Sequence, residues 1–265
     1  MNDQILAALP ETYPWKAHFH FYPQLDSTND RLKVMARQGA PHGTVLIADH
    51  QTGGHGRRGR SFHSPEGVGI YLSMLLRPNC RPGELMHLTC ATAVAMCDAV
   101  ETATGLRPQI KWTNDLVSGR QKLGGILTEL GLTPQGMVDY AIIGIGINCC
   151  QQKEDFPADI QDIAASLSMV TGKVVDRARV AAAMMDALYH MDETLLTGKD
   201  AMLMAYQQNC ITIGQDISLV RGDEVRHGHA LDVDAEGALI VRFPDGHTEA
   251  VNSGEVSVRG MYGYV

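Results

Sequence analysis

The sequence predicts an α+β protein built on a mixed, mostly antiparallel sheet flanked by helices, with a small β-barrel at its C-terminal end. Three observations carry this. Apolar runs at 110–112, 123–130 and 138–147 are separated by little more than the turn formers Ser118-Gly119 and Pro134-Gln135-Gly136. Connections that short make neighbouring strands run antiparallel. Residues 82–104 and 160–209 space their apolar side chains three and four apart, the period of helices buried along one face. Beyond Gly214, short Val, Leu and Ile runs alternate with Gly222-Asp223, Asp234-Ala235-Glu236-Gly237 and Pro244-Asp245-Gly246, the texture of a hairpin barrel.

The elements follow in order. Asp26-Ser27-Thr28-Asn29-Asp30 offers several side chains able to cap a helix, Leu32, Met35 and Ala36 continue at helical spacing, and Gly39 stops it. Residues 43–48 read as a buried strand leading into a Gly/Arg loop, and 68–76 as the strand leaving it. One long helix is predicted over 82–104, opened by Pro82 and ended by Gly105. The three apolar strands come next. From Ile160 to about Asn209, Ala, Met and Leu predict two or three helices broken near Gly172 and Gly198, with methionine as core filler. The change of texture then divides the chain into domains of 1–210 and 211–265. No repeat or low-complexity stretch is visible.

At 265 residues and 45% hydrophobic, the chain can bury a substantial core. No apolar stretch approaches the roughly 20 residues of a membrane span. Met1-Asn2-Asp3-Gln4 lacks the basic-then-apolar order of a secretory signal, so the cytoplasm is the expected compartment and no membrane partner is expected. Cysteines 80, 90, 97, 149, 150 and 210 do not repeat the paired spacing of a zinc site and read as reduced, mostly buried thiols. His227-Gly228-His229 lacks a completing Cys or carboxylate pair, so no structural metal is expected.

Chemistry concentrates in Gly53-Gly54-His55-Gly56-Arg57-Arg58-Gly59-Arg60, which holds four glycines and three arginines in an otherwise acidic protein. Glycines let backbone approach a ligand, and each guanidinium offers a planar fork of donors to phosphate or carboxylate. A net charge of −8 argues against a polyanion partner such as DNA, which favours a basic face over one short basic loop. The loop is therefore read as gripping one small anion. A second cluster, Lys111-Trp112-Thr113-Asn114-Asp115 followed by Lys122-Leu123-Gly124-Gly125, sets an amide, a carboxylate and a lysine around a turn. A carboxylate there suits either a divalent cation on a phosphate or a proton from an incoming amine.

Together, Ser27-Thr28-Asn29, the loop from Gln51 to Arg60, Lys111 to Gly125, and Gly144-Ile145-Gly146-Ile147-Asn148 stand in the order and spacing of biotin protein ligases, and the chain resembles that family from about residue 18 onward. The resemblance implies a class II synthetase-like catalytic domain with an SH3-like C-terminal barrel. It implies that biotin and MgATP give biotinyl-5′-adenylate, after which the acyl group moves to a lysine of a biotin carboxyl carrier protein or domain. Ser27, Thr28, Asn29 and Gln51 would then hold biotin, with Gly54, His55 and Arg57 around it and Gly125 and Gly144 letting it approach the strands. Lys122 would hold the biotinyl carboxylate or carbonyl and, with Arg57 and Asp115, carry catalysis. Arg57, Arg60, Phe62, Lys111, Asn114, Asn148, Glu255 and Arg259 would surround the nucleotide, Phe62 by stacking on adenine. Mg²⁺ would accompany ATP near Asp115. A loop of this kind is expected to fold over the nucleotide and keep water from the anhydride.

Two positions depart from the family pattern: His55 stands where arginine is usual and Thr113 where proline is common. Imidazole, mostly neutral near pH 7, lacks the guanidinium fork, so a looser hold on the adenylate is expected. About 17 residues precede the matching region, too few for the DNA-binding domain some members carry, so a monofunctional ligase without DNA binding is expected. The family pattern accommodates both a monomer and a homodimer. The rival readings are a lipoate or octanoate ligase or transferase of the same fold, against which the intact Gly-Arg-Arg-Gly-Arg loop argues, and a non-catalytic biotin sensor, against which Lys122 and Asp115 argue.

Overall fold

The computed structural model describes residues 1–252 and 257–260. Its centre is a seven-stranded sheet made of β1 (Phe19–Leu25), β2 (Thr44–Gln51), β3 (Gly69–Leu76), β4 (Gln109–Lys111), β5 (Asp115–Ser118), β6 (Gln121–Leu132) and β7 (Val138–Asn148). The spatial order is β1-β2-β3-β7-β6-β5-β4. Only β1 and β2 pair in parallel, and the helix between them supplies the crossover that parallel pairing needs. All other neighbours are antiparallel. The expected mixed, mostly antiparallel sheet is therefore present, with β1 and β5 as strands beyond those read from the sequence.

Helices cover both faces. On one lie α1 (Asn2–Ala8), α3 (Leu88–Thr104), α5 (Arg177–Thr194) and α6 (Lys199–Asn209), whose Met96, Met184, Met185 and Leu188 join the large core against Ile70, Leu72 and Met74 of β3. On the other lies α2 (Thr28–Arg37), which seals Leu32 and Ala36 against Leu75, Tyr140 and Ile142. Ser27 caps α2 by accepting from Asp30 N, and Gly39 follows its end at φ +89°. The single helix expected over 82–104 is instead a short 3-10 turn, Pro82–Leu85, followed by α3. Pro82 starts only that turn, and the long helix begins after His87. Likewise 160–166 is turn structure, and helix resumes at α4 (Leu167–Thr171), capped by Ser166.

The C-terminal strands β8 (Asp216–Arg221), β9 (Glu224–Val233), β10 (Leu239–Arg242), β11 (Thr248–Val251) and β12 (Ser257–Gly260) form an antiparallel sheet in the order β11-β10-β9-β8-β12. Buried hydrogen bonds tie it to the first sheet. Trp112 N donates to Thr212 Oγ1 at 2.9 Å and Trp112 Nε1 to Gly237 O at 2.9 Å. A part-buried bond from α6, Gln207 Nε2 donating to Val233 O at 2.7 Å, adds a tie to the helical layer. Leu219, Val233, Val241 and Val258 belong to the same apolar cluster as α3 and α5.

Candidate active site

Strand register builds the floor of a cavity of about 470 Å³. Tyr71 of β3 lies beside Gly146 of β7, Gly146 beside Gly125 of β6, and Gly125 beside Asp115 of β5. The next row sets Gly144 between Ser73 and Leu127. These bare positions admit protein side chains. A methyl group on Gly144 would coincide with the Asn29 amide, and one on Gly146 would enter the Phe62 ring. One on Gly125 would stand 3.2 Å from Lys122 Nζ. The sequence reading gave Gly125 and Gly144 to close approach by the ligand; the structure fills that space with Lys122 and Asn29, which gain their positions from the missing Cβ atoms.

At the α2 end of the cavity the polar groups form a chain. Thr28 N and Oγ1 both contact Gln51 Oε1, at 2.8 and 3.0 Å. Gln51 Nε2 donates to Ser64 Oγ at 3.1 Å, and Ser64 Oγ donates to Phe62 O at 2.9 Å. Gly54 packs beneath this chain, where a Cβ would lie 2.6 Å from Ser64 Oγ. Ser73, fully buried, contacts Thr28 Oγ1 at 2.7 Å and Asn29 Oδ1 at 2.6 Å. Asn29 Nδ2 donates to Glu129 Oε2 at 2.9 Å, and Glu129 pairs with Lys33 at 2.7 Å.

The Gly/Arg loop closes the opposite side as a small hairpin. Gly56 N donates to Arg60 O at 2.7 Å and Phe62 N to Gly54 O at 2.9 Å. Its tip carries Arg58 in the left-handed region, φ 59° and ψ 35°, and Arg58 Nη1 donates to Val220 O of β8 at 3.3 Å. Arg57 reaches inward and donates to Asn114 Oδ1 at 2.9 Å, while Asn114 Nδ2 is anchored on Ile126 O at 2.9 Å. Burial pulls the Arg57 guanidinium below its ordinary pKa, Asp115 opposes this, and Arg58 and Arg60 add to it. Its charge persists, since arginine starts far above neutrality. His55 Nδ1 donates to Gly53 O at 3.2 Å. Phe62 meets Tyr71 edge-on, ring centres 6.4 Å apart.

Lys122 Nζ pairs with Asp115 Oδ1 at 2.6 Å. Its backbone is gripped by the 157–165 segment, Lys122 N donating to Ile163 O and Ala165 N to Lys122 O. With Phe156 just before it, that segment contributes an apolar wall of Ile160, Ile163 and Ala164. Lys111 is buried and lines the cavity. Asn148 also lines it, though its amide donates to Ala165 O at 3.1 Å and accepts from Gln151 at 3.3 Å. The Trp112–Thr113 peptide bond is cis. Glu255 and the side chain of Arg259 lie outside the described residues, and Val258 of β12 borders the cavity. Among the described residues no group of three or more His, Cys, Asp or Glu is placed so that it could hold a metal ion.

Every other residue assigned from the sequence thus borders this one cavity, apart from Gly54, which supports its wall. Sequence reasoning missed Ser73, Glu129, Ser64, Gly146 in its role beneath Phe62, and the apolar wall. The visible signals were a lone serine inside the apolar run Ile-Tyr-Leu-Ser-Met-Leu-Leu and the alternation of Gly144 with Gly146.

Residues 21–148 match the Biotin/lipoate A/B protein ligase family and residues 212–259 the Biotin protein ligase C terminal domain. The bifunctional ligase/repressor BirA of Bacillus spizizenii is 35% identical over 230 residues, covering 86% of this chain and 70% of its own length. The biotin–[acetyl-CoA-carboxylase] ligase of Mycobacterium tuberculosis is 30% identical over 242 residues, covering 88% of this chain and 86% of its own. Among solved structures, the biotin protein ligase of Aquifex aeolicus in complex with biotin and ATP superposes with a TM-score of 0.77 at 29% identity, over 91% of this chain and 98% of that one. With both segments matched in order and identity sustained over most of its length, this chain belongs to the Biotin/lipoate A/B protein ligase family, among the biotin protein ligases.

Proposed function

We propose that this protein activates biotin with ATP and transfers the biotinyl group to a lysine of a biotin carboxyl carrier protein. The observation that carries this reading is one cavity joining a polar, hydrogen-bonded end at Thr28 and Gln51 to a cationic end at Arg57 and Lys122. A neutral ring with donors and acceptors suits the first, and a carboxylate beside a triphosphate suits the second. Lipoate lacks such a ring, so the polar end favours biotin over that rival.

In the first step a carboxylate oxygen of biotin attacks the α-phosphorus of MgATP, and pyrophosphate leaves. Both reactants are anionic. Arg57 and Lys122 offset their repulsion and steady the charge that builds on the α-phosphate. Asn114 holds the Arg57 fork in place, and Arg60, Lys111, Asn148 and Phe62 complete the nucleotide side, with Glu255 and Arg259 assigned there from the sequence alone. Asp115, a carboxylate that lines the cavity, would be the residue to help hold Mg²⁺, which would supply charge neutralisation for the phosphates. In the second step the carrier lysine attacks the acyl carbon, AMP leaves with the anhydride electrons, and Asp115 takes the amine proton. Lys122 polarises the acyl group meanwhile.

The catalytic unit is assigned to 1–210 and the smaller unit to 211–265, supported by the change from helices to short strands after α6. Six free cysteines support a reducing, cytoplasmic setting. Among the described residues no helix is long and apolar enough to cross a membrane. Incubating the purified chain with biotin, MgATP and a biotin carboxyl carrier domain, then weighing the carrier by mass spectrometry, tests the activity. One biotinyl group per carrier is expected, and an unmodified carrier would refute it.

A further inference from the structure

Beneath the Gly/Arg loop, one buried side chain braces the aromatic ring that the loop turns toward the cavity. Tyr71 of β3 is 1% exposed and stands beside Gly146, the bare position that leaves room for Phe62. Its ring meets Phe62 edge-on, the two planes inclined at 72°. Its hydroxyl donates to Pro65 O at 2.9 Å, three residues further along the chain. One side chain thus props the Phe62 ring and grips the backbone that follows it. Phe62 lines the cavity, whereas Tyr71 does not.

The surroundings of that hydroxyl are arranged to keep it in place. Gly69 lies two residues before Tyr71 on the same face of β3, and a Cβ there would overlap the Tyr71 hydroxyl and ring. Arg177 of α5 donates from Nε to Gly69 O at 2.9 Å and pairs with Asp49 of β2, which pins the strand where the tyrosine needs this room. Burial pushes the Tyr71 hydroxyl far above its ordinary pKa, so it stays a donor throughout the neutral range. The polar end of the cavity has ties of its own, Gln51 N donating to Ser64 O at 3.2 Å and Gln51 Nε2 to Ser64 Oγ at 3.1 Å. Those bonds fix the backbone at Ser64, and Tyr71 adds a brace on the ring that projects past Gly146.

We propose that Tyr71 is a positioning residue for retention of the adenylate: it acts through Phe62, setting that ring against the bound intermediate without touching the ligand itself. The inference rests on biotin and ATP being the substrates.

The test is a cycle of Tyr71→Phe, Phe62→Leu and the double variant, each loaded with biotin and MgATP and followed in a chase for release of the adenylate. Tyr71→Phe keeps the ring and removes only the donor to Pro65 O, so the chain should fold and release adenylate about fivefold faster, the scale of one hydrogen bond. Phe62→Leu removes the aromatic face and should speed release about tenfold. In the Phe62→Leu background, loss of the hydroxyl should change the rate by less than about twofold, because the group that it positions is gone. A merely structural loosening would speed release equally in both backgrounds. A wild-type release rate for Tyr71→Phe, or two effects that multiply in the double variant, would overturn the proposal. Wild-type protein that forms no adenylate from biotin and ATP would instead overturn the substrate assignment, and the proposal with it.

Discussion

Lys122 illustrates how one side chain acquires a task from three neighbours. Gly125 clears its path, Asp115 meets its amine at 2.6 Å, and the 157–165 segment fixes its backbone. Because these ties hold the strand whatever the side chain does, Lys122→Ala should stay folded while adenylation falls at least about a hundredfold, the usual loss on removing one preorganised charge. Pyrophosphate release at the wild-type rate would contradict its role. His55 makes a second residue-scale case. Its Nδ1 is spent on Gly53 O, 3.2 Å away, within its own loop. An arginine there adds a second donor fork, so His55→Arg should slow adenylate dissociation about tenfold in a chase experiment, for roughly one charge-assisted hydrogen bond gained. Equal off-rates would remove any retention role from this position.

At the scale of elements, the loop and β7 are joined by an absent atom. Phe62 occupies the space above Gly146, so Gly146→Ala should displace the ring, destabilise the fold by about 1–3 kcal/mol through overpacking, and raise the KM for ATP more than that for biotin. Thermal melts and paired titrations check both parts. Biotin with ATP should also slow amide exchange across 53–64, the segment that borders the cavity from above; unchanged exchange would deny it a lid function. Much of this was legible beforehand. The caps at Ser27, the stop at Gly39, the three central strands and the residues of the two charged motifs all follow from local pattern. Local pattern failed where partners are distant. The parallel β1 is half-buried at a sheet edge and lacks a clean alternation, and Pro82 marks the start of a turn as readily as a helix. Glu129 lies 100 residues from Asn29, a contact that no periodicity encodes.

For the whole molecule, the two sheets share one apolar cluster and several buried hydrogen bonds, with Trp112 donating to both Thr212 and Gly237. Unfolding in urea should therefore be a single transition, with indole fluorescence and far-ultraviolet circular dichroism coinciding. Two separated midpoints would mark the segments before and after residue 211 as independent. Thr212→Val should lower the common midpoint by removing a buried acceptor, at a cost of about 1–3 kcal/mol. The border formed by Val258 carries a further meaning. A ribosome must translate past that valine before the vessel for the activated acid is walled in. An unfinished copy of this polypeptide thus lacks part of the enclosure that shields a reactive mixed anhydride from water.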